Sequence, residues 1–384
     1  MRRLYSFILI LTLAFAVPAF AQQRWERSYG GRNDDVGYSV QQTSDGGYVI
    51  AGQTSSFGAG GWDVWLIKTN AFGDTLWTRA YGGAGFDAGY YVQQTQDGGY
   101  IVAGGTFSFG NGNQVYLIKT NALGDTLWTK TYGGAGDEVG LSVQQTSDTG
   151  YIVAGTSNSF GKRTQVYLIK TNSAGNTLWT RTFGGVGEDQ GWPVQKTTDN
   201  GYIVTGGTKS FGNGYQVYLI KTNASGATLW SRTYGGRGTE WGHSVQQTLD
   251  GGYIVAGYTT SFGKGEQVYV IKTNAHGDTL WTRTYGGTGS DHGWSVQQTS
   301  DGGYIVAGKT GSFVNAGQVY LIKTNASGDT LWSKTYGETG DDAGHAVQQT
   351  TDGGYIVAGW TYSFGNGNQV YLIKTDKNGI VKVK

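Results

Sequence analysis

The stretch Tyr90-Tyr-Val-Gln-Gln-Thr-Gln-Asp-Gly-Gly-Tyr-Ile-Val-Ala-Gly-Gly-Thr-Phe-Ser-Phe-Gly-Asn-Gly-Asn-Gln-Val-Tyr-Leu-Ile-Lys-Thr-Asn-Ala-Leu-Gly-Asp-Thr-Leu-Trp-Thr-Lys-Thr-Tyr132 contains four runs of strand-forming residues separated by glycine-rich turns. Tyr91–Thr95 reads as strand A and Tyr100–Gly104 as strand B. The Asp97-Gly98 step between them is a hairpin signal, because glycine accepts the positive φ that a tight turn demands. A loop through Phe109-Gly-Asn-Gly-Asn113 leads to strand C, Val115–Thr120, and Asn121-Ala-Leu-Gly-Asp125 turns the chain into strand D, Thr126–Tyr132. Strands B and C are nearly continuous apolar runs, the pattern of strands covered on both faces. No segment carries a helical period or a capping pattern.

The unit recurs seven times. The tyrosine after the A–B turn stands at Tyr48, Tyr100, Tyr151, Tyr202, Tyr253, Tyr304 and Tyr355, and the lysine of Ile-Lys-Thr at Lys68, Lys119, Lys170, Lys221, Lys272, Lys323 and Lys374. Four antiparallel strands in each of seven units predict an all-β fold, a seven-bladed β-propeller built on 51–52-residue repeats. An open β-solenoid competes, but it calls for a shorter period and for atypical capping repeats. Closure of the ring leaves a trace: the strand-D tryptophan occurs six times, from Trp77 to Trp332, and the seventh unit ends without one. Trp25-Glu-Arg-Ser-Tyr29 is a strand D with no unit before it, so the N-terminal strand is expected to complete the last blade, with the tail 380–384 as the rival for that place.

Gly-Gly-Tyr-Ile-Val-Ala-Gly, Ser-Phe-Gly, Tyr-Leu-Ile-Lys-Thr and Leu-Trp-Thr-Arg-Thr-Tyr-Gly-Gly follow one another in this order through residues 25–384. This grammar resembles the repeats of secreted bacterial β-propeller proteins of no assigned function, and its C–D hairpin is distantly similar to quinoprotein-type and kelch propeller repeats. The resemblance implies the fold and export, and it carries over no catalytic residue.

Arg2 and Arg3 precede an apolar run from about Phe7 to Val17, and Ala19-Phe20-Ala21 fits a small-x-small cleavage site. Residues 1–21 therefore read as a secretory signal peptide and residues 22–384 as one propeller domain. The product is expected to be secreted, in the periplasm or outside the cell, and not inserted in the membrane. The formal net charge of +1 provides no field for nucleic acid. With no cysteine there is no disulfide, thiolate nucleophile or Cys-ligated metal.

Comparison of the seven units sorts the polar residues: one present in every blade serves the blade, whereas one that differs is free for a ligand. Asp45, Asp97, Asp148, Asp199, Asp250, Asp301 and Asp352 recur in the A–B turn, on the same face as the seven lysines, and suit ion pairing. Asp35, Asp87, Glu138, Asp189, Glu240, Asp291 and Asp342 recur beside paired glycines in the D–A loop. They suit the backbone N–H groups of a tight loop better than calcium, which needs 6–8 oxygens. Gln41 and its six equivalents on the innermost strand are expected to bond between blades or to line the channel. His243, His292 and His345 lie on separate blades without ligand spacing, so no metal site and no cofactor is expected. No nucleophile elbow, HExxH or P-loop is present, and no catalytic residue is assigned.

The variable aromatics are the functional clue. The residues leading into strand A are Tyr38, Tyr90, Leu141, Trp192, His243, Trp294 and His345, an aromatic collar at one channel mouth. Trp241 and His292 lie beside it, and Tyr258 and Trp360 follow strand B. These ten aromatic residues are the candidate ligand site on the B–C/D–A face. Aromatic faces with few charges suit a neutral glycan or a protein segment. Packing between blades is the competing account of the same residues. The function expected is a non-catalytic, monomeric binding propeller, with a structural or adhesive envelope scaffold and a polysaccharide-acting hydrolase or lyase as alternatives.

Overall fold

The computed structural model describes residues 24–313 and 316–381, and the expected signal peptide lies outside them. Seven four-stranded antiparallel sheets form the ring. Blade two runs Asp87–Gln94, Tyr100–Thr106, Gln114–Thr120 and Thr126–Tyr132, so strand A begins four residues before the stretch expected from sequence. Strands B and C are buried along their whole length, and strand D alternates along the outer rim. The cores lie between neighbouring blades. Ile101, Leu117 and Val115 of blade two, for example, pack with Val153 and Tyr167 of blade three.

The N-terminal strand closes the ring. Trp25–Tyr29 pairs antiparallel with Gln369–Thr375, placing Trp25 opposite Lys374 as Trp77 stands opposite Lys68. Each strand-D tryptophan reaches the C–D turn of the next blade. Trp77 lies over Gly124, whose φ of +80° suits glycine and where a Cβ would sit 2.7 Å from the indole. Trp25 meets Gly73 and Trp332 meets Gly379 in the same way, so the contact runs through the closure. The strand-D arginine lies over its own tryptophan and points to the next turn, as Arg79 does toward Asp125 at 3.3 Å. The strand-D cation thus joins blades as well as charging an edge.

Every repeated polar column has a partner. All seven Ile-Lys-Thr lysines pair with their A–B aspartates at 2.8–2.9 Å, the lysine side chains being only 1–6% exposed. The D–A carboxylates are buried: Asp35 accepts from Gly31 N and Ser56 Oγ, both at 2.8 Å, and from the Thr54 hydroxyl. The strand-A glutamines bond between blades, each Oε1 accepting the backbone N–H of the next strand A at 2.5–2.7 Å, all the way round from Gln41 to Gln348. A second ring runs the other way, from A–B turn N–H groups to the neighbouring glutamine, as Ser44 N to Gln94 Oε1 at 2.9 Å. In blade four Lys196 stands where the other blades carry that second glutamine.

Candidate functional site

The collar residues are placed by a β-bulge. In every blade the A–B pairing slips at this point: in blade one Gly37 pairs with Gly52 and Ser39 with Ala51, leaving Tyr38 without a partner. Tyr90, Leu141, His243, Trp294 and His345 are skipped in the same way, and in blade four both Trp192 and Pro193 are skipped. A bulge re-aims a side chain out of the sheet pattern, here onto the propeller axis. The glycine pair permits it by close approach, since a Cβ on Gly52 would lie 1.8 Å from Val36 O. The recurring glycine just before each collar residue is the sequence signal for the bulge, and the sequence reading missed it.

Six of the ten candidate residues line one vestibule of about 240 Å³: Tyr38, Tyr90, Trp192, His243, Trp294 and His345. Leu141 completes the ring, and no Asp, Glu, Lys or Arg lines the cavity. The rings also touch across blades. Trp294 stacks on His345 at 4.4 Å and 6°, Trp192 meets His243 edge-on at 4.7 Å, and Tyr38 contacts both Tyr90 and His345. Packing between blades and lining of a cavity are therefore done by the same side chains.

The other four residues do not line the vestibule. Trp241, Tyr258, His292 and Trp360 form an arc around its rim. Trp241 and Tyr258 are cross-strand partners two residues before the bulge position, and His292 occupies the equivalent place in the next blade. Tyr258 stacks on His292 at 4.4 Å, and Trp241 packs on Tyr215 at 4.4 Å. Trp360 Nε1 donates to His345 Nε2 at 3.2 Å, joining the arc to the collar. The rim carries the charge that the vestibule lacks: His292–Glu266 at 2.9 Å, Lys309–Asp341 at 2.6 Å, and Glu188 with Lys209 and the Tyr215 hydroxyl. Lys209 lies over the Tyr215 ring and Lys309 over Trp360. Sequence reading singled out none of Glu188, Lys209, Glu266, Lys309 and Asp341; their signal was that they change from blade to blade.

Burial keeps the vestibule imidazoles neutral. The His243 pKa is pushed down to about 3, first by burial and then by His292 and His345. That of His345 falls to about 4, by burial and then by Lys309. Trp192 Nε1 and His243 Nδ1 are buried without a hydrogen-bond partner. Among the described residues no group of three or more His, Cys, Asp or Glu is placed to hold a metal, and the three strand-A histidines go to different neighbours. His276 lies in a C–D turn on the opposite face.

No family model matches the chain, and no curated protein matches it. Among solved structures the chain is similar to Sqt1 from Chaetomium thermophilum, at 11% identity over 88% of this chain and 83% of that one, with a TM-score of 0.52. It is also similar to the Pan2 WD40 domain of Neurospora crassa, at 11% identity over 95% and 93%, TM-score 0.50. A protein of unknown function from Bacteroides caccae matches at 15% identity over 73% and 92%, TM-score 0.45. At these identities the likeness speaks for the fold, and the class is a seven-bladed β-propeller.

Proposed function

We propose that this chain is an exported, non-catalytic binding protein whose vestibule receives a neutral group, a sugar ring of a glycan or an uncharged side chain of a protein segment. One observation carries the reading: seven unequal collar side chains, all re-aimed by the same bulge, enclose an aromatic cavity with no charged lining residue. Apolar ring faces bury a neutral ring well, and they offer a carboxylate or an ammonium little compensation for lost water. The blades are unequal, so the seven positions make one site rather than seven. Trp192, His243, Trp294 and His345 place its strongest wall on blades four to seven. The test is a glycan array and a peptide library probed with wild type and with the Trp192→Ala/Trp294→Ala double variant. Binding by the wild type that the variant loses supports the proposal. No ligand on either array sinks it in favour of an envelope scaffold, and polysaccharide turnover by the wild type sinks it in favour of an enzyme.

A further inference from the structure

Below the vestibule the axis opens into a second cavity of about 200 Å³, lined by Gln41, Gln93, Gln144, Gln195, Gln246, Gln297 and Gln348. The two cavities share Tyr91, Pro193, Ser244 and Ser295, so they are consecutive compartments of one channel. The orientation of each amide is set by its bonding. Every Oε1 accepts a backbone N–H of the adjacent blade at 2.5–2.7 Å, a role that a terminal NH2 group cannot fill. All seven carbonyl ends are therefore committed to the wall, and what remains of each amide is its pair of N–H donors. Among the described residues the Nε2 groups of Gln41, Gln93, Gln195, Gln246, Gln297 and Gln348 form no hydrogen bond, and none of them is among the buried atoms lacking a partner. They are open to the channel. Gln144 also meets the Tyr91 hydroxyl.

The serines add to this. Ser244 Oγ accepts from Val296 N and Ser295 Oγ from Val347 N, both at 3.1 Å, which leaves each hydroxyl proton to be given elsewhere. Ser142 Oγ caps Val194 O, an acceptor on the same wall, at 3.4 Å. The lining holds no carboxylate and no ammonium. Seven amide dipoles thus point their positive ends at one axis in a partly enclosed space. Such an array of oriented N–H groups favours a negative charge without any formal positive one.

We propose that this lower compartment is an anion site, a ring of amide donors that takes a small monovalent anion of halide type on the propeller axis. The assignment is independent of what the vestibule binds. Its donors come from every blade, whereas the collar differs between blades.

Bromide is the probe. Crystals of the full chain, grown without chloride and soaked in sodium bromide, are expected to show an anomalous peak on the axis within reach of several Nε2 atoms. In solution, bromide should raise the melting temperature of the wild type above that seen with fluoride at equal ionic strength, since fluoride surrenders its water less readily. The Gln246→Glu/Gln297→Glu variant keeps an oxygen to accept Gln298 N and Gln349 N, removes four donors and brings two negative charges to the axis. It should lose both the peak and the bromide-specific rise. The Trp192→Ala/Trp294→Ala variant should keep both, which separates this site from the vestibule. If the Glu variant fails to fold, Gln246→Met alone, with a weakened peak, serves in its place. An axis holding only water in the bromide-soaked wild type overturns the proposal, as does a peak of unchanged height in a folded glutamine variant.

Discussion

The two mouths of the channel follow opposite rules. At the A–B/C–D end the seven blades repeat one arrangement: a buried lysine on an aspartate, glutamines clasping the next blade, and a tryptophan over the neighbouring turn. At the B–C/D–A end the backbone repeats just as faithfully, bulge included, but the side chains that it presents are Tyr, Tyr, Leu, Trp, His, Trp and His. Where backbone and side chain repeat together, the residue holds the ring. Where the backbone repeats and the side chain does not, the position is free to serve something other than the ring. The two ends should therefore fail differently when perturbed.

The largest effect is expected at closure. Removing residues 24–31 strips blade seven of its outer strand and leaves the Gln369–Thr375 edge unpaired. Loss of the cooperative thermal transition, or aggregation, is the expected outcome, followed by circular dichroism and size-exclusion chromatography. Trp25→Ala alone should cost roughly 3–5 kcal/mol, because Trp25 is 8% exposed and packs with Tyr48, Ile50 and Leu372. A melting temperature unchanged by the deletion would contradict closure of the ring by the N-terminal strand.

Next in size is the repeated end. Asp250→Ala leaves Lys272 buried with Thr273 O as its remaining partner, and stability should fall by about 3 kcal/mol, the lower part of the range for breaking a buried pair, because the aspartate is more than half exposed. Asp148→Ala in blade three should cost the same within error. A large difference between blades would break the claim that this end is uniform, and urea titration of both variants checks it.

Acid separates the two ends along the pH axis. The folded-state pKa values of His243 and His345 lie near 3 and 4, below the ordinary 6.5. From pH 6.5 downward the unfolded chain takes up protons that the folded vestibule refuses, so stability falls with pH and levels off only near those lower values. One pKa unit is worth about 1.4 kcal/mol, so a loss of roughly 3 kcal/mol from each histidine, on the order of 6 kcal/mol for the two together, is expected by pH 4. The aspartates respond lower. Burial tends to raise Asp199, but its hydrogen bonds from Lys221, Thr197 and Gly201 overcome this and hold it at about 2. The stabilisation from that pair is fully present above pH 4 and is lost as pH falls toward 2. His243→Phe/His345→Phe should flatten the upper limb of a stability–pH curve and leave the lower one unchanged. A curve flat from pH 7 to 4 in the wild type would contradict the burial of the imidazoles.

Much of this was legible in the sequence because the repeat acts as its own alignment. Tyr48 and its six equivalents marked the blades, Trp25 without a preceding unit announced the closure, and the glutamine column implied contacts between blades. The bulge was not read, although Gly37 and its equivalents stand before every collar residue, because strand A was taken to begin only after the collar residue, which left the bulge outside it. That one slip decides which aromatics reach the axis. Trp241 and His292, two residues earlier on strand A, turn to the rim with Tyr258 and Trp360, and the six residues at the bulge turn inward. The charges around the rim were passed over because the position that carries Glu188 and Asp341, just before the D–A carboxylate, is Asp, Phe, Asp, Thr or Ser in the other blades, and Glu266 stands in a B–C loop that varies as freely.

The smallest effect is the one that bears on function. Trp192 and Trp294 are only partly buried and lie outside the repeated cores. Replacing either by alanine should therefore cost less stability than Trp25→Ala does, even though Trp294 gives up its stacking on His345. Binding should suffer instead. Loss of one stacking ring is worth on the order of 1–3 kcal/mol at other aromatic platforms, between about fivefold and a hundredfold in affinity. Leu141→Ala, next to Trp192 in the same vestibule, should weaken binding less than either, since it removes no ring from the blade-four-to-seven wall. Titration calorimetry with whichever glycan or peptide the arrays return, set beside the melting temperatures of the three variants, decides the comparison. If Trp192→Ala destabilises the fold as much as Trp25→Ala, the collar belongs with the repeated framework, and the distinction between the two ends of the channel fails at the residue on which it most depends.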